Sequence, residues 1–76
     1  MTTTHTTLGA VLRRRRRHLD LSLVHVARDA CISPPYVCLI EQGKRRPKWP
    51  IVLRLGKILA LSTKRLHKLW LKMPHD

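Results

Sequence analysis

The sequence predicts an all-α fold of five short helices. Three observations carry that prediction. Apolar residues recur three and four positions apart, as on one face of a helix. Serines that suit helix starts stand ahead of three of these runs, at Ser22, Ser33 and Ser62. No stretch alternates apolar and polar residues as a half-buried strand does. At 76 residues and 43% hydrophobic content there is room for one small domain with a modest core, and none for a deep substrate cavity. The aromatic residues are Tyr36, Trp49 and Trp70 alone, so the core is expected to be aliphatic.

Residues 1–7 are Thr-rich and lack apolar periodicity, which predicts a flexible arm whose last threonine caps a helix. The first helix is expected from Leu8 to His18, with Leu8, Val11, Leu12, Arg15 and Leu19 on one face. The run Arg13–Arg17 wraps this helix, so Arg15 must lay its methylenes over the apolar stripe and send its guanidinium outward. Leu19-Asp20-Leu21 is a short connection in which Asp20 tolerates a left-handed backbone. Ser22 caps a second helix reaching about Ala30. Ser33, followed by Pro34 and Pro35 in the first turn, starts a third that runs to about Gln42 and stops at Gly43. Lys44–Lys48 is a basic loop. Pro50 can open a fourth helix carrying Val52, Leu55, Ile58 and Leu59. Gly56 inside it costs about 1 kcal/mol relative to Ala, which predicts close packing there against another helix. Ser62 caps a fifth helix, with Leu66, Leu69, Trp70 and Met73 at helical spacing and Pro74 as the stop.

Charge is the strongest signal of function. Sixteen Lys and Arg against 4 Asp and Glu leave a net charge of +12, a self-repelling balance that a polyanion relieves. Nucleic acid is the first candidate and an anionic membrane the second. The cations are spread over several helices and not confined to one amphipathic face, which disfavours the membrane. Two cysteines make no disulfide framework, no apolar run is long enough to span a bilayer, and Met1–Thr7 lacks the pattern of a signal peptide. A reducing, cytoplasmic setting is therefore expected. Cys31 and Cys38 are seven residues apart with His25 as the only imidazole nearby, too sparse for structural zinc. The five histidines are scattered and read as lacking carboxylate partners. No Ser-His-Asp set, Gly-rich phosphate loop or acidic pair stands out, so no enzyme activity, cofactor or metal is expected.

The 20 residues from Leu23 to Gln42 meet the size rules of a helix-turn-helix. Ala27 is small where the helices cross, Cys31 sits where the turn needs an unusual backbone, and Ile32, Val37 and Ile40 are apolar anchors. The stretch LSLVHVARDACISPPYVCLIEQGKRRP resembles the Cro/repressor-type (Xre-like) helix-turn-helix family, most specifically in Ile40-Glu41-Gln42-Gly43-Lys44-Arg45-Arg46-Pro47. The resemblance runs from Leu8 to about Trp70. It implies a lambda-repressor-like DNA-binding domain over 8–73 and a homodimeric regulator of transcription on double-stranded DNA. By the same resemblance Ser22 and Leu23 approach phosphate, and Ser33, Pro34, Pro35, Tyr36, Cys38, Leu39 and Gln42 belong to the recognition helix in the major groove. Lys44, Arg45, Arg46 and Lys48 form the basic loop beside the backbone. A buried pair between Glu41 and Arg16 is also implied, with Arg15 as rival partner; Glu41 is the only glutamate in the chain.

The chain departs from the family pattern at several of these places. Leu23 stands where Gln is common, Cys31 replaces the usual Gly and Cys38 a common Ser. Pro34, Pro35 and Leu39 occupy positions that often carry polar base-reading groups. Phosphate contacts are therefore expected to dominate affinity, with sequence preference from thymine methyl contacts and DNA shape. Two readings of Leu66, Leu69, Trp70 and Met73 stay open, closure of the core and the shared face of a dimer. Two alternative functions also stay open on this fold: a protein-docking adaptor or antitoxin, and a non-specific nucleic-acid binder.

Overall fold

The computed structural model describes residues 7–74. Five helices follow one another: α1 (Leu8–His18), α2 (Leu23–Ala30), α3 (Pro34–Glu41), α4 (Trp49–Leu59) and α5 (Thr63–Leu71). Four start on the hydroxyl caps that local chemistry dictates. Thr7, Ser22, Ser33 and Ser62 each accept a bond from the N–H three residues on, at 3.2, 3.0, 3.2 and 3.4 Å. Thr7 caps α1, as expected of the last threonine of the arm placed over 1–7; the rest of that arm lies outside the described residues.

Two borders differ from expectation. α4 begins at Trp49, so Pro50 is its second residue, and the cap position falls on Lys48, whose side chain makes no capping bond. α5 ends at Leu71, before Met73. The Lys72 N–H turns to Leu69 O and the Met73 N–H to Trp70 O, a tightening of the last turn.

α2 packs on α3 and α4, α1 on α3, α4 and α5, and α4 on α5. The core between them is aliphatic, from Leu8 and Leu12 of α1 through Val26 and Ala30 of α2, Ile40 of α3, Leu55 and Leu59 of α4, to Leu66 of α5. Three non-glycine residues take left-handed backbone to turn the chain: Asp20 (φ 57°), Cys31 (φ 61°) and Ala60 (φ 55°). The last two terminate α2 and α4.

Two glycines are required by close approach. A Cβ on Gly56 would lie 2.8 Å from Leu66 Cδ1, the tight contact that its position in α4 predicts. Gly9 is tighter still: a Cβ there would collide with the backbone carbonyls of Ile40 and Glu41. α1 therefore rests directly on the main chain at the end of α3.

Arginines close two helix ends. Arg15 Nε donates to Leu59 O at 2.8 Å and Arg54 Nη1 to Ala30 O at 3.3 Å, satisfying terminal carbonyls of α4 and α2 that their own helices leave unpaired.

Candidate nucleic-acid interface

The site is built on α3. Ser33 fixes its start, and Pro34 and Pro35 occupy its first turn, where absent N–H groups leave no bond unmade. Val37 and Ile40 anchor the inner face in the core. A turn of 3.6 residues then stacks Pro35, Cys38 and Gln42 on the opposite face, with Leu39 beside them. Pro35 and Gln42 are exposed and Cys38 and Leu39 half-buried, so this face is uncovered by the fold. Gln42 Nε2 lies 3.3 Å from Cys38 Sγ, which links the last turn along the face. Tyr36 is half-buried and packs against the core.

Behind this face a salt bridge sets the pose of α3. Arg16 Nε donates to Glu41 Oε2 at 2.7 Å and Nη2 to Oε1 at 3.1 Å, while Nη1 donates to Leu21 O at 2.9 Å. Arg16, and not Arg15, is Glu41's partner. The hydrogen bond to Glu41 pushes the Arg16 pKa above its ordinary value; burial opposes this, and the carboxylate charge adds to it. One guanidinium thereby joins α1, the connection before α2, and α3.

Arg13, Arg16 and Arg17 of α1, Leu23 of α2, and Cys38, Glu41 and Gln42 of α3 line a shallow, half-open cavity of about 160 Å³. The arginine run thus reaches the outer face of α3 at its last turn. Periodicity placed these arginines all round α1 without showing where two of them lead.

Directly after α3 the basic loop begins with Gly43 in left-handed conformation (φ 76°). Lys44, Arg45 and Lys48 are exposed. Arg46 is held by the fold: its Cζ lies 3.8 Å from the centroid of the Trp70 ring, and Nε and Nη2 reach Trp70 O at 3.4 and 3.3 Å. Trp70 Nε1 donates to Pro47 O at 2.7 Å, and Trp49 and His67 pack around the indole with ring centroids 5.3 and 6.1 Å from it. This cluster ties the loop to α5, and sequence reasoning missed it.

The expected dimer residues divide. Leu66 is 1% exposed and belongs to the chain's own core, so it offers a partner nothing. Leu69, Trp70 and Met73 are half-buried against that core and keep edges outside. The histidines also need a correction. His25 Nε2 lies 3.2 Å from Asp29 Oδ2, one helical turn away, a pairing that the spacing of four already allowed.

A helix-turn-helix domain family matches residues 7–69. The chain belongs to this family of Xre-like DNA-binding domains. No curated relative and no solved structure matches it. In this helix-turn-helix domain α2 and α3 are the motif's two helices, and Cys31 supplies the turn's left-handed residue. Among the described residues no helix is long and apolar enough to cross a membrane.

Proposed function

We propose that the protein is a small transcriptional regulator, a repressor or autoregulator, that binds a near-palindromic operator as a homodimer. α3 enters the major groove through Ser33, Pro34, Pro35, Tyr36, Cys38, Leu39 and Gln42. Ser22 and Leu23 at the start of α2, and Lys44, Arg45 and Lys48 in the loop, meet phosphates. Arg46 braces that loop from behind. The observation that carries this reading is the outer face of α3, bordered at its last turn by arginines of α1 and followed in the chain by an exposed basic loop.

Because that face offers few hydrogen-bonding groups, affinity rests on counterion release. About six phosphates neutralised per protomer give log K against log[salt] a slope of about −5 per protomer. Thymine methyls and DNA deformability supply the sequence preference. Leu69, Trp70 and Met73 form the dimer contact, which sets two copies of α3 about 34 Å apart along the duplex.

Selection of bound duplexes from a random pool tests the regulator, and a recovered palindrome is the expected result. Sedimentation of Met73→Lys tests the dimer. Met73 lies beyond α5, so its replacement spares the helix, and a monomer with weakened operator binding is expected. Sedimentation and affinity equal to wild type would put the interface elsewhere.

A second reading, a protein-docking adaptor or antitoxin on the same fold, draws on the apolar Leu23, Pro34, Pro35 and Leu39 and on Val24, which is 59% exposed. Failure to hold a short duplex at about 150 mM salt with competitor present would favour it. Equal competition by random DNA, RNA and the selected duplex would favour a non-specific nucleic-acid binder.

A further inference from the structure

The five arginines of α1 are not equivalent. Arg15 is bonded to Leu59, and Arg16 to Glu41 and Leu21. Among the described residues, neither of the two ion pairs involves Arg13 or Arg17. These two are four residues apart, hence neighbours on one face of α1, about 6 Å apart along its axis. Both border the cavity that Leu23, Cys38 and Gln42 complete.

Charge in that cavity is unbalanced. Its lining carries three guanidiniums and one carboxylate, and Glu41 is already matched by Arg16 through two bonds. Among the described residues two positive charges, those of Arg13 and Arg17, remain without a counter-charge, about one turn apart. A single anion between them removes the repulsion and accepts planar, paired N–H donors, the geometry in which guanidinium holds phosphate best. The cavity of about 160 Å³ is open to solvent and has room for a tetrahedral anion together with its water.

We infer that this cavity is a phosphate site with Arg13 and Arg17 as its ligands, and that its occupant is one backbone phosphodiester of the duplex that α3 enters. The assignment rests on the DNA-binding reading above and adds an anchor to it. Cys38 and Gln42 belong both to the cavity and to the outer row of α3. A phosphodiester held there lies on the rim of the groove that α3 occupies and sets how far its last turn advances. The loop cations grip elsewhere, so the two anchors together fix the tilt of α3.

The test compares Arg13→Gln/Arg17→Gln with Lys64→Gln/Lys68→Gln, which removes equal charge from exposed positions on α5. Gln matches Arg in helix propensity, and thermal melts of both variants check the fold. Duplex binding is titrated from 50 to 200 mM NaCl. The expected result is a salt slope shallower by about 1 and roughly tenfold weaker binding at 100 mM for the α1 variant, against a smaller loss and an unchanged slope for the α5 variant. Single methylphosphonate linkages are then placed along the bound duplex. One neutral linkage should weaken wild type and leave the α1 variant unaffected, as coupled partners do.

Identical behaviour of the two variants, or no linkage coupled to Arg13 and Arg17, would overturn the assignment while leaving DNA binding in place. If wild type binds no duplex, the DNA-binding reading itself fails. Sodium phosphate at about 1 mM, at constant ionic strength, distinguishes the source. Displacement of the duplex from wild type alone would make the cavity a free-phosphate site and overturn the backbone assignment.

Discussion

Arg16 holds Glu41 through two hydrogen bonds of 2.7 and 3.1 Å, with the two side chains only 12% and 6% exposed. Removing one partner strands the other charge away from water. Glu41→Ala is expected to cost about 3 kcal/mol, a large part of the stability of a domain this small. The pair replaced together, Arg16→Met/Glu41→Leu, should recover much of that loss. Thermal and urea melts followed by circular dichroism measure both. Because Glu41 raises the Arg16 pKa, the arginine's share of the stability is complete below its unfolded-state pKa and is lost only as pH rises through the still higher folded value. The gap in melting temperature between wild type and Arg16→Met should therefore show no loss from arginine deprotonation between about pH 6 and 9.

Gly9 and Gly56 make a paired test of close packing. Alanine favours a helix over glycine by about 1 kcal/mol, so both substitutions start with a gain. At Gly9 the added methyl meets the carbonyls of Ile40 and Glu41, main-chain atoms that move only if α3 moves. At Gly56 it meets the end of Leu66, a side chain that can rotate, although within a filled core. Gly9→Ala should lose about 3 kcal/mol and Gly56→Ala about 1 kcal/mol or less. Equal losses would show that the backbone at Ile40 yields as readily as a leucine tip.

Cys31 is an exposed residue in left-handed conformation at the end of α2. Its side chain buries little, while its backbone carries the steric penalty of φ 61°. Cys31→Gly should raise stability by about 1 kcal/mol, read as a higher urea midpoint at unchanged slope.

Arg46 should matter to the fold, in contrast to its neighbour in the loop. Its guanidinium lies on the Trp70 ring and reaches Trp70 O, whereas Lys44 is exposed. Arg46→Ala is expected to cost about 1 kcal/mol of stability, and Lys44→Ala less than about 0.5 kcal/mol. Melts of the two variants in the absence of DNA decide this. Lys44→Ala should act on duplex binding and salt slope instead.

The four hydroxyl-capped helix starts were legible because capping is local: a hydroxyl reaches an N–H three residues on, whatever the rest of the chain does. Asp20 and Gly43 were legible for a similar reason, since both types tolerate positive φ. Ala60 was not, because nothing in an alanine announces a left-handed cap. Contacts between distant residues were also hidden. Arg54 meets Ala30, Arg46 meets Trp70 and Trp70 meets Pro47 across separations of 24, 24 and 23 residues, set by how α4 and α5 lie. Within the site, periodicity marked the outer row of α3, but five successive arginines point in every direction. The family resemblance already pointed Arg16 to Glu41, but only packing shows that Arg15 turns to α4, and Arg13 and Arg17 to the cavity.

The bond from Arg16 Nη1 to Leu21 O carries a consequence for recognition. With the same side chain fastened to Glu41, any swivel of α3 drags the entry to α2 and the body of α1 along. The motif therefore meets its target as a rigid wedge. On the proposed DNA-binding reading, adjustment to an imperfect site is then expected to come from bending of the nucleic acid, and discrimination between sites from how readily each one bends.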